Sequence, residues 1–181
     1  GIETAFAVNH VASFLLTCLL LDRMVESAPS RIIQVNSQGH RFGGLDLADL
    51  NWDKRRYKGL QGYGASKVAQ LLTVWEFANR LKGSGVTINA MHPGNVRTNS
   101  GQSNGWLYKI FKKKIIDRGA IPLSVSAEAL YYLGVSPDLD NVSGKFFNLT
   151  TEEELAPPAL DREAAEKLWT ISMNLGGFNG Q

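Results

Sequence analysis

The sequence predicts an α/β fold, on two observations. Helix-forming stretches with apolar residues at helical spacing alternate with short β-branched runs, and Pro or Gly breaks the chain between them. Such alternation gives βαβ units, hence a parallel sheet with helices on both faces.

The first helix is expected from about Glu3 to Ser27, where Phe6, Ala7, Val11, Phe14, Leu15 and Cys18 recur at helical spacing, and Pro29 stops it. Arg31 to Ser37 then reads as a strand buried on both faces, followed by a long polar loop opened by Gly39, Gly43 and Gly44. A second helix is expected from near Tyr63 to Leu81, with Val68, Leu71, Leu72, Trp75 and Ala78 inward and Gly83 or Gly85 at its end. Val86 to Met91 is the next strand, and Pro93-Gly94 breaks the chain after it. A basic amphipathic segment follows around Leu107 to Ile116. Ser124 is expected to cap a helix to Leu133, Gly144 to Leu149 to form the last strand, and Asp161 to Leu175 a terminal helix.

Composition narrows the function classes. The chain has 181 residues, 44% hydrophobic and 20% charged, the mixture of one globular domain over 1–181, and no composition shift marks a second. A formal net charge of +2 is too small for a nucleic-acid partner, and Lys112-Lys113-Lys114 has no interleaved array of aromatics for stacking bases. The single cysteine, Cys18, lies in an apolar run and has no metal-ligand spacing. That run is shorter than the ~20 apolar residues of a membrane span and reads as a buried helix. His10, His40 and His92 are scattered over different elements, so no metal is expected, and no G-x-S-x-G elbow supports a hydrolase. Glu152-Glu153-Glu154 reads as a solvated loop or turn. Trp106, Leu107, Tyr108, Ile110 and Phe111 beside the three lysines fit a membrane-facing helix, a lid over a lipophilic pocket, or plain packing.

The chemistry concentrates in three places. Tyr63-Gly64-Ala65-Ser66-Lys67 puts a phenol and an ammonium one helical turn apart on one face, near a helix N-terminus. A free phenol ionises near ~10, and a fixed cation beside it lowers that by about 1–3 units, which makes it a usable acid/base. Ser37 stands at the C-terminal end of the preceding strand, the edge where ligands bind in open α/β sheets, and its hydroxyl can bond an oxygen on which charge develops. The third place is Met91-His92-Pro93-Gly94-Asn95-Val96-Arg97-Thr98, at the same edge of the following strand.

A V-N-S strand ending, then Y-G-A-S-K, then H-P-G-x-V-x-T resembles the short-chain dehydrogenase/reductase family, and Phe6-Ala7-Val8-Asn9-His10 resembles the helix carrying the asparagine of its Asn-Ser-Tyr-Lys tetrad. Ser27 to Ile33 and Asn89 to Gly94 resemble the retinol dehydrogenase and WW-domain oxidoreductase branch. The resemblance runs from Gly1 to about Leu175 and implies the C-terminal portion of a Rossmann-like doubly wound parallel sheet. The glycine-rich pyrophosphate turn of its first half is missing from this sequence. It implies Asn9, Ser37, Tyr63 and Lys67 as catalytic residues: Tyr63 exchanges the proton, Lys67 tunes it and holds the nicotinamide ribose, Ser37 polarises the substrate oxygen, and Asn9 anchors a relay water. It implies a cofactor site formed by Asn9, Tyr63, Lys67, Pro93, Gly94, Val96 and Thr98, with Thr98 on the carboxamide. NADP(H) is the expected cofactor, with NAD(H) as the alternative.

Two departures from the family pattern stand out: Asn36 where serine is usual, and Ala12-Ser13 in place of Gly-His. The implied activity is hydride transfer between the nicotinamide cofactor and a lipophilic alcohol, aldehyde or ketone. The alternative is a non-catalytic, dinucleotide-sensing or protein-interaction relative. The expected setting is cytoplasmic with no transmembrane segment, or peripheral on a membrane. A homodimer is expected through the helices of Asn9 and Tyr63, with Trp75, Phe77 and Leu81 as apolar surface unless a monomeric core claims them. Without the phosphate-binding half, the 181-residue chain alone is expected to be inactive.

Overall fold

Three strands run parallel, side by side in chain order: β1 (Ser30–Val35), β2 (Val86–His92) and β3 (Phe146–Asn148). A short β4 (Thr151–Glu152) turns back antiparallel on β3. The computed structural model describes residues 1–96 and 120–178. Its helices are α1 (Thr4–Glu26), α2 (Gly59–Arg80), α3 (Leu123–Val135) and α4 (Arg162–Leu175). Thr98 and the basic segment from Leu107 to Ile116 lie outside the described residues.

Alternation along each strand builds two cores. Ile32, Ile88, Ala90 and Phe146 point to one face, where they pack with α1, α2 and α4 through Phe14, Val68, Leu72, Phe77 and Leu168. Ile33, Met91 and Phe147 point to the other face and meet Ala129 and Leu133 of α3. The α/β class with a parallel sheet is as the sequence predicts.

Several details differ. β1 is half-buried rather than buried on both faces, and Val35 is exposed, because β1 has a single sheet neighbour among the described residues. α2 starts at Gly59, ahead of Tyr63; Gly59, Gly62 and Gly64 are weak helix formers and hide the first turn. Ser124 does not cap α3: Pro122 stands at the N-cap, and Ser126 instead donates to the Pro93 carbonyl. Glu152 belongs to β4 and pairs with Lys145 at 2.7 Å, so the acidic run is not a plain solvated loop.

α1 is capped by Glu3, whose carboxylate accepts from the Ala5 and Phe6 amides, and it contains a π-helical turn over Ala7–Val11. By length and composition it is the one described helix apolar enough to cross a membrane. It is not buried all round: Phe6, His10 and Phe14 face inward, whereas Leu16, Leu19 and Leu20 are exposed. α4, capped by Asp161, closes the α1–α2 face. Trp169 meets Phe14 and Phe77 edge-on, and Arg80 and Arg162 stack on Trp169 and Trp75. The monomer core therefore claims Phe77 and Leu81 and partly covers Trp75, the side chains considered above as dimer surface.

Candidate active site

The C-terminal ends of β1 and β2 and the N-terminal half of α2 carry the described residues of the sequence motifs. β1 ends at Val35, and Asn36 and Ser37 lead into a 3-10 turn, Gln38–Phe42. Ser37 is fixed on three sides. Its amide donates to Asn36 Oδ1 at 2.7 Å, its hydroxyl accepts from the Gly39 amide at 3.0 Å, and its carbonyl lies 2.8 Å from His40 Nδ1.

His40 is fully buried, and its Nε2 accepts from the Ala156 amide at 3.3 Å. That bond leaves the ring hydrogen on Nδ1, where it is donated to Ser37. Burial holds His40 below its ordinary pKa, so it acts as a neutral support of the Ser37 backbone.

Gly39 sets the relation between Ser37 and Tyr63. A Cβ at Gly39 would stand 2.4 Å from Tyr63 Cε1 and 3.3 Å from Ser37 Oγ, so the phenol ring lies against the turn in the space a side chain would fill. Lys67, one turn further along α2, is buried, and its Nζ lies 5.9 Å from the Tyr63 ring centroid. The ammonium donates to the Val35 carbonyl and to Gln70 Oε1, each at 3.2 Å. Burial pushes its pKa down to about 8.

Asn9 sits within the π-helical turn of α1, and such turns often mark functional positions. Its side-chain amide donates to Ser66 Oγ at 3.0 Å, and Ser66 donates to the Tyr63 carbonyl at 2.7 Å. Its backbone carbonyl accepts from Ser13 Oγ at 2.9 Å. The structure thus joins Asn9 to the Tyr63 turn through Ser66, and α1 to the Lys67 side through Ser13. After β2 the chain turns at Pro93-Gly94, with Gly94 at φ 78°, a conformation that favours glycine. Val96 bridges to Ile121, which packs over Gly94.

Sequence reasoning noted Asn36 only as a departure from the family pattern and gave no role to Gln38, Gln70 or Asn148. Asn36 is buried, and besides supporting Ser37 it donates to the Lys67 carbonyl and to Gln70 Oε1. Gln70, three residues after Lys67 and hence on the same helix face, was a legible signal. At the β3 edge, hydrogen bonds from Asn148 and Gln38 hold the Glu153 carboxyl below its ordinary range, with Arg41 3.7 Å away. Buried His92 faces the same carboxylate.

No family model matches the sequence. Retinol dehydrogenase 13 from Mus musculus is 42% identical over 182 residues, covering 98% of this chain and 54% of its own length. Over nearly its whole length the chain is similar to this retinol dehydrogenase. It spans about half the length of the curated relatives it matches. A solved structure of an uncharacterised protein from Mycobacterium paratuberculosis superimposes with a TM-score of 0.69 at 29% identity, covering 98% of this chain and 60% of that one. An NADPH-bound carbonyl reductase from chicken fatty liver shares the fold, with a TM-score of 0.57 at 22% identity over 83% of this chain and 55% of its own.

Proposed function

We propose that this sequence is the catalytic half of an NADP(H)-dependent oxidoreductase acting on a lipophilic alcohol, aldehyde or ketone. The observation that carries the reading is the placement of Tyr63 against the Ser37 turn, with the buried Lys67 ammonium one helical turn away at the end of β1. The names of the relatives support the substrate class, and the NADPH-bound carbonyl reductase supports the cofactor.

The residues present fit the nicotinamide end of such a cofactor. The Lys67 ammonium has three donors, two tied to Val35 and Gln70, which leaves the third for a ribose hydroxyl. Gly94 at positive φ and the Pro93 turn shape the strand edge beside it. When bound, the reduced cofactor would supply the hydride for carbonyl reduction, and its oxidised form would accept the hydride in alcohol oxidation. In carbonyl reduction Tyr63 gives its hydroxyl proton to the substrate oxygen, and in alcohol oxidation it takes that proton back. Ser37 Oγ donates a hydrogen bond to the same oxygen as charge builds on it. His40 and Asn36 keep Ser37 in place. Asn9, through Ser66, fixes the backbone of the Tyr63 turn. Thr98 is assigned to the carboxamide on the motif alone.

Asn36, a departure from the family pattern, supports both Ser37 and the Lys67 side of the site.

The test is NADPH oxidation by the intact protein with a panel of lipophilic aldehydes and ketones. Turnover with carbonyl substrates is expected. NADPH binding without turnover on any member would favour the non-catalytic reading instead.

A further inference from the structure

We propose that Gln70 is a positioning residue of the acid/base pair: its amide clamps the Lys67 ammonium to the end of β1 and ties it, through Ser13, to the π-helical turn of α1. The proposal rests on the catalytic reading of Tyr63 and Lys67 given above.

Gln70 is buried, and every hydrogen-bonding position of its amide is used. Oε1 accepts from Lys67 Nζ at 3.2 Å and from Asn36 Nδ2 at 2.9 Å. Nε2 donates to Gln34 Oε1 at 2.8 Å and to Ser13 Oγ at 3.5 Å. Both donors to Oε1 lie on one side and both acceptors from Nε2 on the other, so only one orientation of the amide satisfies the network. Gln34 is anchored in turn by Thr17 Oγ1 at 2.7 Å, and Ser13 donates to the Asn9 and His10 carbonyls at 2.9 and 3.0 Å. A saturated amide in this place fixes the direction of a flexible ammonium that, among the described residues, no carboxylate holds.

The surroundings of Lys67 make the effect readable. On its own helix the titratable neighbour is Tyr63, while α1 presents Asn9 and Ser13, and β1 with its extension presents Gln34, Asn36 and Ser37, all uncharged. His10 on α1 is kept neutral by burial and bonded to Ser172. The turn Gln38–Phe42 adds His40, engaged with Ser37, and Arg41, which bonds Gln38 and the Glu154 carbonyl. A charge placed at Gln70 would therefore act on Lys67 without a nearby competitor among the described residues.

The test uses the intact protein and two variants. Gln70→Glu keeps the shape and puts a carboxylate beside Nζ; Gln70→Leu removes the acceptor. The Lys67 ammonium is followed by NMR of its 13Cε across pH, and kcat/KM for alcohol oxidation is measured over the same range. In Gln70→Glu the Lys67 midpoint should rise by about one pH unit or more, and the midpoint of kcat/KM should move with it. In Gln70→Leu the Lys67 midpoint should fall, and kcat/KM should drop about tenfold or more.

A folded Gln70→Glu protein with both midpoints unchanged overturns the proposal, because a purely structural glutamine would alter thermal stability alone. An intact protein without turnover, in which the Lys67 midpoint still responds to Gln70→Glu, would defeat the catalytic reading and leave the clamp standing.

Discussion

The Trp169 indole meets the Phe77 ring nearly edge-on, at 74° with centroids 4.7 Å apart, and this contact seals α4 onto α2. Phe14 completes the cluster at 5.1 Å from Trp169, and Arg80 covers the outer face of the indole at 4.2 Å. Replacing a large aromatic in such a cluster by alanine removes buried area and leaves a cavity. Trp169→Ala should therefore cost about 2–4 kcal/mol in urea unfolding. A loss under about 0.5 kcal/mol would mean that α4 is not sealed down in solution.

A second prediction concerns acid. His10 is fully buried between Phe6 and Phe14, its Nε2 lies 2.8 Å from Ser172 Oγ, and burial pushes its pKa down to about 3. Between pH 3 and the ordinary 6.5 the unfolded chain binds a proton here that the folded chain refuses, so folding stability falls as pH drops through that window. The loss is on the order of 5 kcal/mol when complete. His10→Gln should flatten this part of the stability curve. Parallel curves for the two proteins between pH 6.5 and 4 would contradict it.

Lys67 is, like His10, a base whose cation is disfavoured by burial, and its window lies at higher pH. Its folded pKa of about 8 lies below the ordinary 10.5, so the burial penalty is complete below pH 8 and is relieved as pH rises toward 10.5. Comparing the protein with Lys67→Met by chemical unfolding should show wild type gaining about 3 kcal/mol on the variant across that interval. A difference that stays constant with pH would show that the ammonium is solvated.

At Gly39 the expected effect is on activity more than on folding. A Cβ there would press on Tyr63 Cε1 at 2.4 Å, and the ring must move to relieve it. Gly39→Ala in the intact protein should cost roughly 1–3 kcal/mol of stability and reduce kcat by tenfold or more, since small displacements of a reacting group are expensive. Unchanged kcat would show that Tyr63 does not depend on the close approach of this turn.

Periodicity and turn residues made α1, α2, β2 and α4 legible in the sequence, along with the three motif sites that β1 and β2 bring to one edge. What stayed hidden arises from tertiary pairing. Gln70 looks like any polar helix residue until Lys67, Asn36, Gln34 and Ser13 surround it. Gly39 reads as a loop opener, and only the packing of Tyr63 shows why a side chain is excluded. β4 is too short for a two-residue period to register, and it is defined by its pairing with Phe147 and Asn148. The π-helical turn at Asn9 leaves no local signal either, because Phe6, Val11 and Phe14 keep an apolar face through it.

The most direct measurement is single-turnover reduction of a lipophilic aldehyde by the intact protein and its Tyr63→Phe variant, with NADPH affinity measured on both. If Tyr63 donates the proton, the variant should bind NADPH within a few-fold of wild type and reduce the aldehyde about 10²–10⁴ times more slowly. An equal reduction rate in the two proteins would contradict the assignment.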